Sequence, residues 1–193
     1  MTRTTNARIA GITFLFYIAI GITSVAMSNR AISGEGIESK LASIAKHATD
    51  MRVIVVLTLL TSFSALVLGV TLYAITREQD PDVALLALTC RVIEAIPSHE
   101  GGAIYFAVGS TLFSWLLLRC RMIPVALAWL GVFASALLVV ILPLQRAGLF
   151  GGALSWSSSV TWFMWLPLLM FELALAVWFL TKGVAAPVRK QSA

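Results

Sequence analysis

Cys90-Arg91-Val92-Ile93-Glu94-Ala95-Ile96-Pro97-Ser98-His99-Glu100 closes a run that is oily from Val83 onward, yet it carries two full charges three positions apart. If this run crosses a bilayer the chain has six spans; if it does not, it has five. The surrounding composition settles the solvent. Hydrophobic residues fill 59% of the 193 positions and charged residues only 12%, against roughly 25% charged in a soluble domain. The apolar residues come in runs close to the ~20 helical residues that a hydrocarbon core requires. The expectation is an all-α polytopic membrane protein, a single transmembrane domain over residues 1–193 with a bundle of six transmembrane helices. The spans fall at about 9–27, 52–75, 83–96, 103–118, 123–142 and 160–181. The third is short for a span, so hydropathy alone would also suit a re-entrant or peripheral helix.

Charge bias bears on that third run. Counted as a span, it leaves eight cations (Arg3, Arg8, Arg77, Arg119, Arg121, Lys182, Arg189, Lys190) on one side and five (Arg30, Lys40, Lys46, Arg52, Arg146) on the other. Short loops rich in Lys and Arg stay cytoplasmic, so both termini are expected inside, in a bacterial cytoplasmic membrane. Without it, Arg119 and Arg121 would move to the outer side. The net charge of +5 therefore reads as topology. It forms no basic stripe, and nucleic acid is not an expected partner. The run Ile9 to Met27 follows Arg3 and Arg8 in the charge order of a signal peptide, but it is nearly a full span and no small-x-small cleavage site follows. It is expected to stay as the first membrane helix.

The longest connection, Ser28 to Met51, places Ile37, Leu41, Ile44, Ala48 and Met51 on one helical face, with Glu38, Lys46 and Asp50 elsewhere. That pattern predicts a short amphipathic outer helix, or a plain extension of the second span. Trp156, Trp162 and Trp165 are expected in an aromatic belt at the outer interface, with ligand stacking as the other role. Ala65 with Gly69 and Gly131 with Ser135 are small pairs that let helices approach. Such pairs serve equally within one chain and between two, so a homo-oligomer or a partner membrane protein stays open beside membrane lipids as partners.

Chemistry within the membrane narrows to three residues, because a charge there costs at least a few kcal/mol and persists only when paired, hydrated or useful. They are Arg91, Glu94 and Glu172. Arg91 and Glu94 are about 60° apart around a helix and share an inward face. A rise of 1.5 Å per residue puts Arg91 about 13 Å above Asp82 and Glu172 about 15 Å above Lys182. An ion pair between Arg91 and Glu172, linking the third and sixth spans, is the expectation, with Glu94 open as the other partner of Arg91. A second polar cluster, His47, Arg52, His99 and Glu100, is expected at the outer surface. Its histidines and carboxylate are metal-ligand types, but their spacing matches no ligand motif, and no metal is expected.

Nothing places the two histidines across from each other to hold haem, and no cofactor is expected. Cys90 and Cys120 form no CxxC pair and no structural disulfide. There is no Gly-x-Ser-x-Gly elbow and no phosphate loop, which weighs against an enzyme. Binding or transport of a small molecule or lipid through the Arg/Glu cluster is the leading function. A structural or accessory subunit whose charges only staple helices is one alternative, and an intramembrane enzyme is another.

Several short motifs carry a resemblance. They are Ile44-x-x-His47 followed by Arg52, Leu72-Tyr73, Ala84-Leu85-Leu86, Arg91-x-x-Glu94, Leu112-Phe113-Ser114, Arg121-Met122-Ile123-Pro124 and Leu130-Gly131. Together, over most of residues 5–180, the chain resembles a family of small bacterial multi-pass membrane proteins catalogued as a domain of unknown function. The resemblance implies a six-helix inner-membrane protein and brings no activity, cofactor or substrate. Glu172 is not part of that pattern.

Overall fold

A backbone inside hydrocarbon has no water to bond to, so a chain of this composition must satisfy its peptide groups within each segment, as helix. The computed structural model describes residues 2–34, 36–97, 101–149 and 159–185. Its regular elements are α1 (Arg3–Ala31), α2 (Ile37–Lys46), α3 (Ala48–Thr76), α4 (Pro81–Glu94), α5 (Gly102–Arg119), α6 (Val125–Arg146) and α7 (Ser159–Thr181). Five of them, α1, α3, α5, α6 and α7, are long and apolar enough to cross a membrane. The chain is a polytopic helical integral membrane protein. Against the six expected spans there is one difference: α4 has 14 residues, about 21 Å of helix, too short on its own for a ~30 Å hydrocarbon core.

The ends of α4 explain its length. Asp80 caps the start by accepting from the Val83 amide at 3.2 Å, with Pro81 next and Asp82 in the first turn. All three are favourable at a helix N-terminus. At the other end Pro97 disfavours helical geometry at Ile96. The last turn closes through Ala95 N–H to Arg91 O and Ile96 N–H to Ile93 O.

The segment between the first two long helices forms α2, separated from α3 at His47. There the ring Nδ1 donates to the Ser43 carbonyl at 2.9 Å. No α2 residue is buried, and Ile37 and Leu41 stay exposed. It is a distinct amphipathic helix rather than a smooth extension of α3.

Apart from α2, the helices pack in chain order. α1 lies on α3, α3 on α4, α4 on α5, α5 on α6 and α6 on α7, and α7 returns to α1. Inside this ring Phe14, Leu72, Phe113, Leu138, Phe171 and Leu175 meet in one apolar core. Outside it, Phe63, Val70, Leu85, Leu86, Phe133 and Phe163 are exposed. On a water-soluble protein that surface would be a liability; here it is the face presented to lipid.

One end of the bundle is tied together by polar contacts. Arg3 pairs with Glu78, Arg119 Nη1 stands 3.5 Å from Asp80 Oδ2, and the Ala185 N–H donates to the Met122 carbonyl at 3.1 Å. The start of α1, the α3–α4 turn, the α5–α6 turn and the residues after α7 thus share that end. From it α1 and α3, 29 residues each, rise about 43 Å, whereas α4 and α5 rise about 21 and 27 Å. The end of α4 and the start of α5 therefore lie well below the opposite ends of α1 and α3.

Candidate functional site

Arg91 sits where three helices close on a single side chain. A Cβ added at Gly69 of α3 would stand 3.0 Å from Arg91 Cβ, and one at Gly109 of α5 would stand 3.3 Å from Arg91 Cδ. Only glycine lets the two neighbours fold over the aliphatic stem this closely. The side chain is left 1% exposed.

Its charge is answered locally. Arg91 Nη1 donates to Glu94 Oε2 at 2.8 Å, and Glu94 Oε1 accepts from the Tyr17 hydroxyl of α1, also at 2.8 Å. The guanidinium carbon lies 4.9 Å from the Phe106 ring centre and 5.9 Å from that of Tyr17, within range of cation–π attraction. Phe106 is stacked in turn on Trp165 at 5.6 Å. Arg91 Nε is buried and has no hydrogen-bond partner among the described residues.

The expected Arg91–Glu172 ion pair is not formed. Arg91 makes its salt bridge to Glu94, one turn along the same helix. Counting residues gives height in the membrane but not direction, and a partner three residues away is presented by α4 itself. Glu172 is nonetheless buried, 5% exposed. Its carboxyl makes no ion pair or hydrogen bond among the described residues. It lines two cavities: a small void that Arg91 also borders, and a much larger one above.

The larger cavity holds about 480 Å³, within the ~300–1,000 Å³ usual for small-molecule sites. Its walls come from α1 (Ile18, Gly21, Val25), α3 (Thr58, Thr61, Ala65) and α7 (Trp162, Trp165, Leu169). Ile96, Pro97 and Gly102 of the α4–α5 connection border it, and Tyr17, Glu94 and Glu172 supply its ionisable groups. The short α4–α5 hairpin makes this space, because the longer helices continue past its turn. Thr58 and Thr61 donate to carbonyls of their own helix at 2.8 and 2.9 Å. The walls are thereby mostly apolar, with the hydroxyls of Ser24 and Ser62 as polar groups beside Tyr17 and the carboxyls.

Half of the second expected cluster falls on described residues. His47 and Arg52 lie at the α2–α3 junction, with His47 satisfied by Ser43, while His99 and Glu100 lie outside the described residues. Trp156 and the serines before Ser159 lie outside them too. Trp162 and Trp165 stand in the cavity wall. Among the described residues no three His, Cys, Asp or Glu side chains converge as metal ligands. Cys90 and Cys120 are free thiols.

Tyr17 and Phe106 are site residues that sequence reasoning missed. A signal for Tyr17 existed: 14 residues from Arg3 place it about 21 Å along α1, level with Glu94, about 20 Å along α4. Phe106 had none, since one phenylalanine among many in apolar runs is unmarked. In comparisons with known proteins, the family model for a domain of unknown function, DUF4386, matches residues 9–99 and again residues 97–183. No curated protein and no solved structure matches the chain.

Proposed function

Because the chain belongs to the DUF4386 family, a domain whose function is unknown, its chemistry has to be argued from its own site, and we propose that it binds an amphiphilic small molecule or lipid in the cavity above Glu94 and Glu172. The observation that carries this is the cavity itself, a space of about 480 Å³ with apolar walls and two carboxyls. An empty structural gap of that size in a small bundle forfeits packing along its whole lining.

The proposal includes six crossings in one transmembrane domain. Asp80 and Arg119 meet at one end, so α4 leaves that end and α5 returns to it. The two therefore cross together or not at all, and five crossings would not return the chain to that end. Exposed Leu85, Leu86 and Val92 on α4 support its contact with lipid. The tied end carries Arg3, Arg77, Arg119, Arg121 and Lys182, which favours it as the cytoplasmic side of a bacterial inner membrane. The cavity then lies toward the outer side.

A purely stapling role accounts for less. The Arg91–Glu94 pair lies within α4 and joins no two helices; among the described residues the Tyr17 hydroxyl makes the one hydrogen bond that carries the network to another helix, and Glu172 makes no hydrogen bond or ion pair.

The test uses Gly21→Phe. Gly21 lines the cavity, and a Cβ there meets no atom within 4 Å, so a ring can enter the space without moving a helix. Wild type and variant are extracted into nanodiscs with native lipid, and bound molecules are identified by mass spectrometry. The expected result is a species retained by the wild type and lost from Gly21→Phe at unchanged thermal stability. Identical bound molecules in identical amounts would sink the proposal.

A further inference from the structure

The ionisable groups around the cavity make up an unbalanced set. Arg91 and Glu94 cancel, and both Glu94 oxygens are occupied, one by Arg91 and one by Tyr17. Glu172 is left over. It is 95% buried by its 5% exposure, faces the cavity and has no hydrogen-bond or ion-pair partner among the described residues. Among the described residues no Lys, Arg or His lines the cavity with it. A carboxyl buried in apolar surroundings either keeps its proton or is met by a cation, and only with the cation does it hold its charge.

From this imbalance we infer the ligand class: the occupant carries one positive charge on an apolar body, a protonated or quaternary amine that pairs with Glu172. The inference rests on the cavity being a binding site. An anionic ligand would face two carboxyls here, and a neutral one would make no use of the charge Glu172 can carry. A cation completes the set. Its charge also lies beside aromatic rings, since Tyr17, Phe106, Trp162 and Trp165 all line the cavity, and an indole face is the best aromatic partner for a cation. The apolar body fits the hydrocarbon walls of Ile18, Val25 and Leu169. Two sources present this chemistry, an amine-bearing lipid headgroup and a freely diffusing lipophilic amine.

The test compares three probes of one shape in an uncharged maltoside detergent: N-hexylpyridinium, hexylbenzene and hexylbenzenesulfonate. Binding is measured by calorimetry to wild type, Glu172→Gln and Gly21→Phe. Wild type should bind the pyridinium at least about tenfold tighter than hexylbenzene, the scale of one charge-assisted contact, and the sulfonate weakest. Glu172→Gln should erase the preference while leaving the hexylbenzene affinity intact, which also shows that the variant is folded. Gly21→Phe should bind none of the three.

If hexylbenzene binds the wild type as well as the pyridinium does, or if Glu172→Gln keeps the preference, the charge inference is overturned while the cavity still binds. If Gly21→Phe binds every probe like the wild type, the cavity is not the site and both proposals fall. Displacement of the pyridinium by added phosphatidylethanolamine assigns the amine to a lipid headgroup. Failure to displace it, with the preference intact, assigns it to a soluble amine.

Discussion

Replacing Arg91 by methionine would remove the charge and keep most of the stem that Gly69 and Gly109 enclose. What remains is a Glu94 carboxylate 8% exposed, with the Tyr17 hydroxyl as its one remaining partner. Removing one member of a buried ion pair costs about 3–5 kcal/mol, because the other charge is left uncompensated, whereas removing both in favour of well-packed neutral groups is often neutral or stabilising. Arg91→Met should therefore lose about 3–5 kcal/mol, and Arg91→Met/Glu94→Gln should recover most of it. Glu94→Gln should be milder than Arg91→Met, since Glu172 borders the same void as Arg91 and offers a second carboxylate. Reversible unfolding in bicelles, followed by steric trapping, gives all three free energies and their coupling. A coupling below about 1 kcal/mol, or a double variant as unstable as Arg91→Met, would refute the idea that this pair governs the stability of the bundle centre.

Three further outcomes follow from single contacts. Tyr17→Phe keeps the ring beside Arg91 and removes the hydroxyl from Glu94; a loss of about 1.5–3 kcal/mol is expected for a bond to a charged acceptor, and an unchanged unfolding free energy would contradict it. Gly69→Leu places a side chain where even a Cβ would meet Arg91 Cβ and Leu88 Cδ1 at 3.0 Å; overpacking of this kind costs about 1–3 kcal/mol, and a double electron–electron resonance distance between spin labels on α3 and α4 should lengthen. Cys120, at the α5–α6 turn, is 5% exposed, and burial pushes its thiol up, with Arg119 and Arg3 pulling the other way. Its maleimide labelling at mildly alkaline pH should be slower in the folded protein than in the denatured chain, and equal rates would show the turn to be open.

Hydropathy carried most of the fold, because a bilayer demands long apolar helices and leaves few other signals to compete. The third run was expected at 83–96 and α4 spans Pro81–Glu94, a shift explained by the Asp80 cap at one end and Pro97 at the other. The length of α4 was visible, but its consequence was not. A short hairpin becomes a cavity only when its neighbours stand at full height beside it, and that is a property of the ring. At the site, the shared face of Arg91 and Glu94 was legible from their spacing. The choice of partner was not, since Glu94, Glu172 and Tyr17 all lie at similar depth and only packing fixes which of them Arg91 meets. Tyr17 escaped notice because an aromatic residue in an apolar run resembles an interface anchor, and its hydroxyl gains meaning only opposite Glu94.

The contact between Arg91 and Glu94 also bears on how the chain reaches its bilayer. Helices emerge from the ribosome in order, and α7, with Glu172, comes last. A guanidinium that depended on α7 would have to wait in the translocon or in lipid through the synthesis of α5 and α6, unpaired at a depth where charge is expensive. A partner three residues downstream on α4 arrives within the same turn of helix. The charge can thus be neutralised as soon as α4 forms, before α7 brings Glu172 to the void that Arg91 also borders.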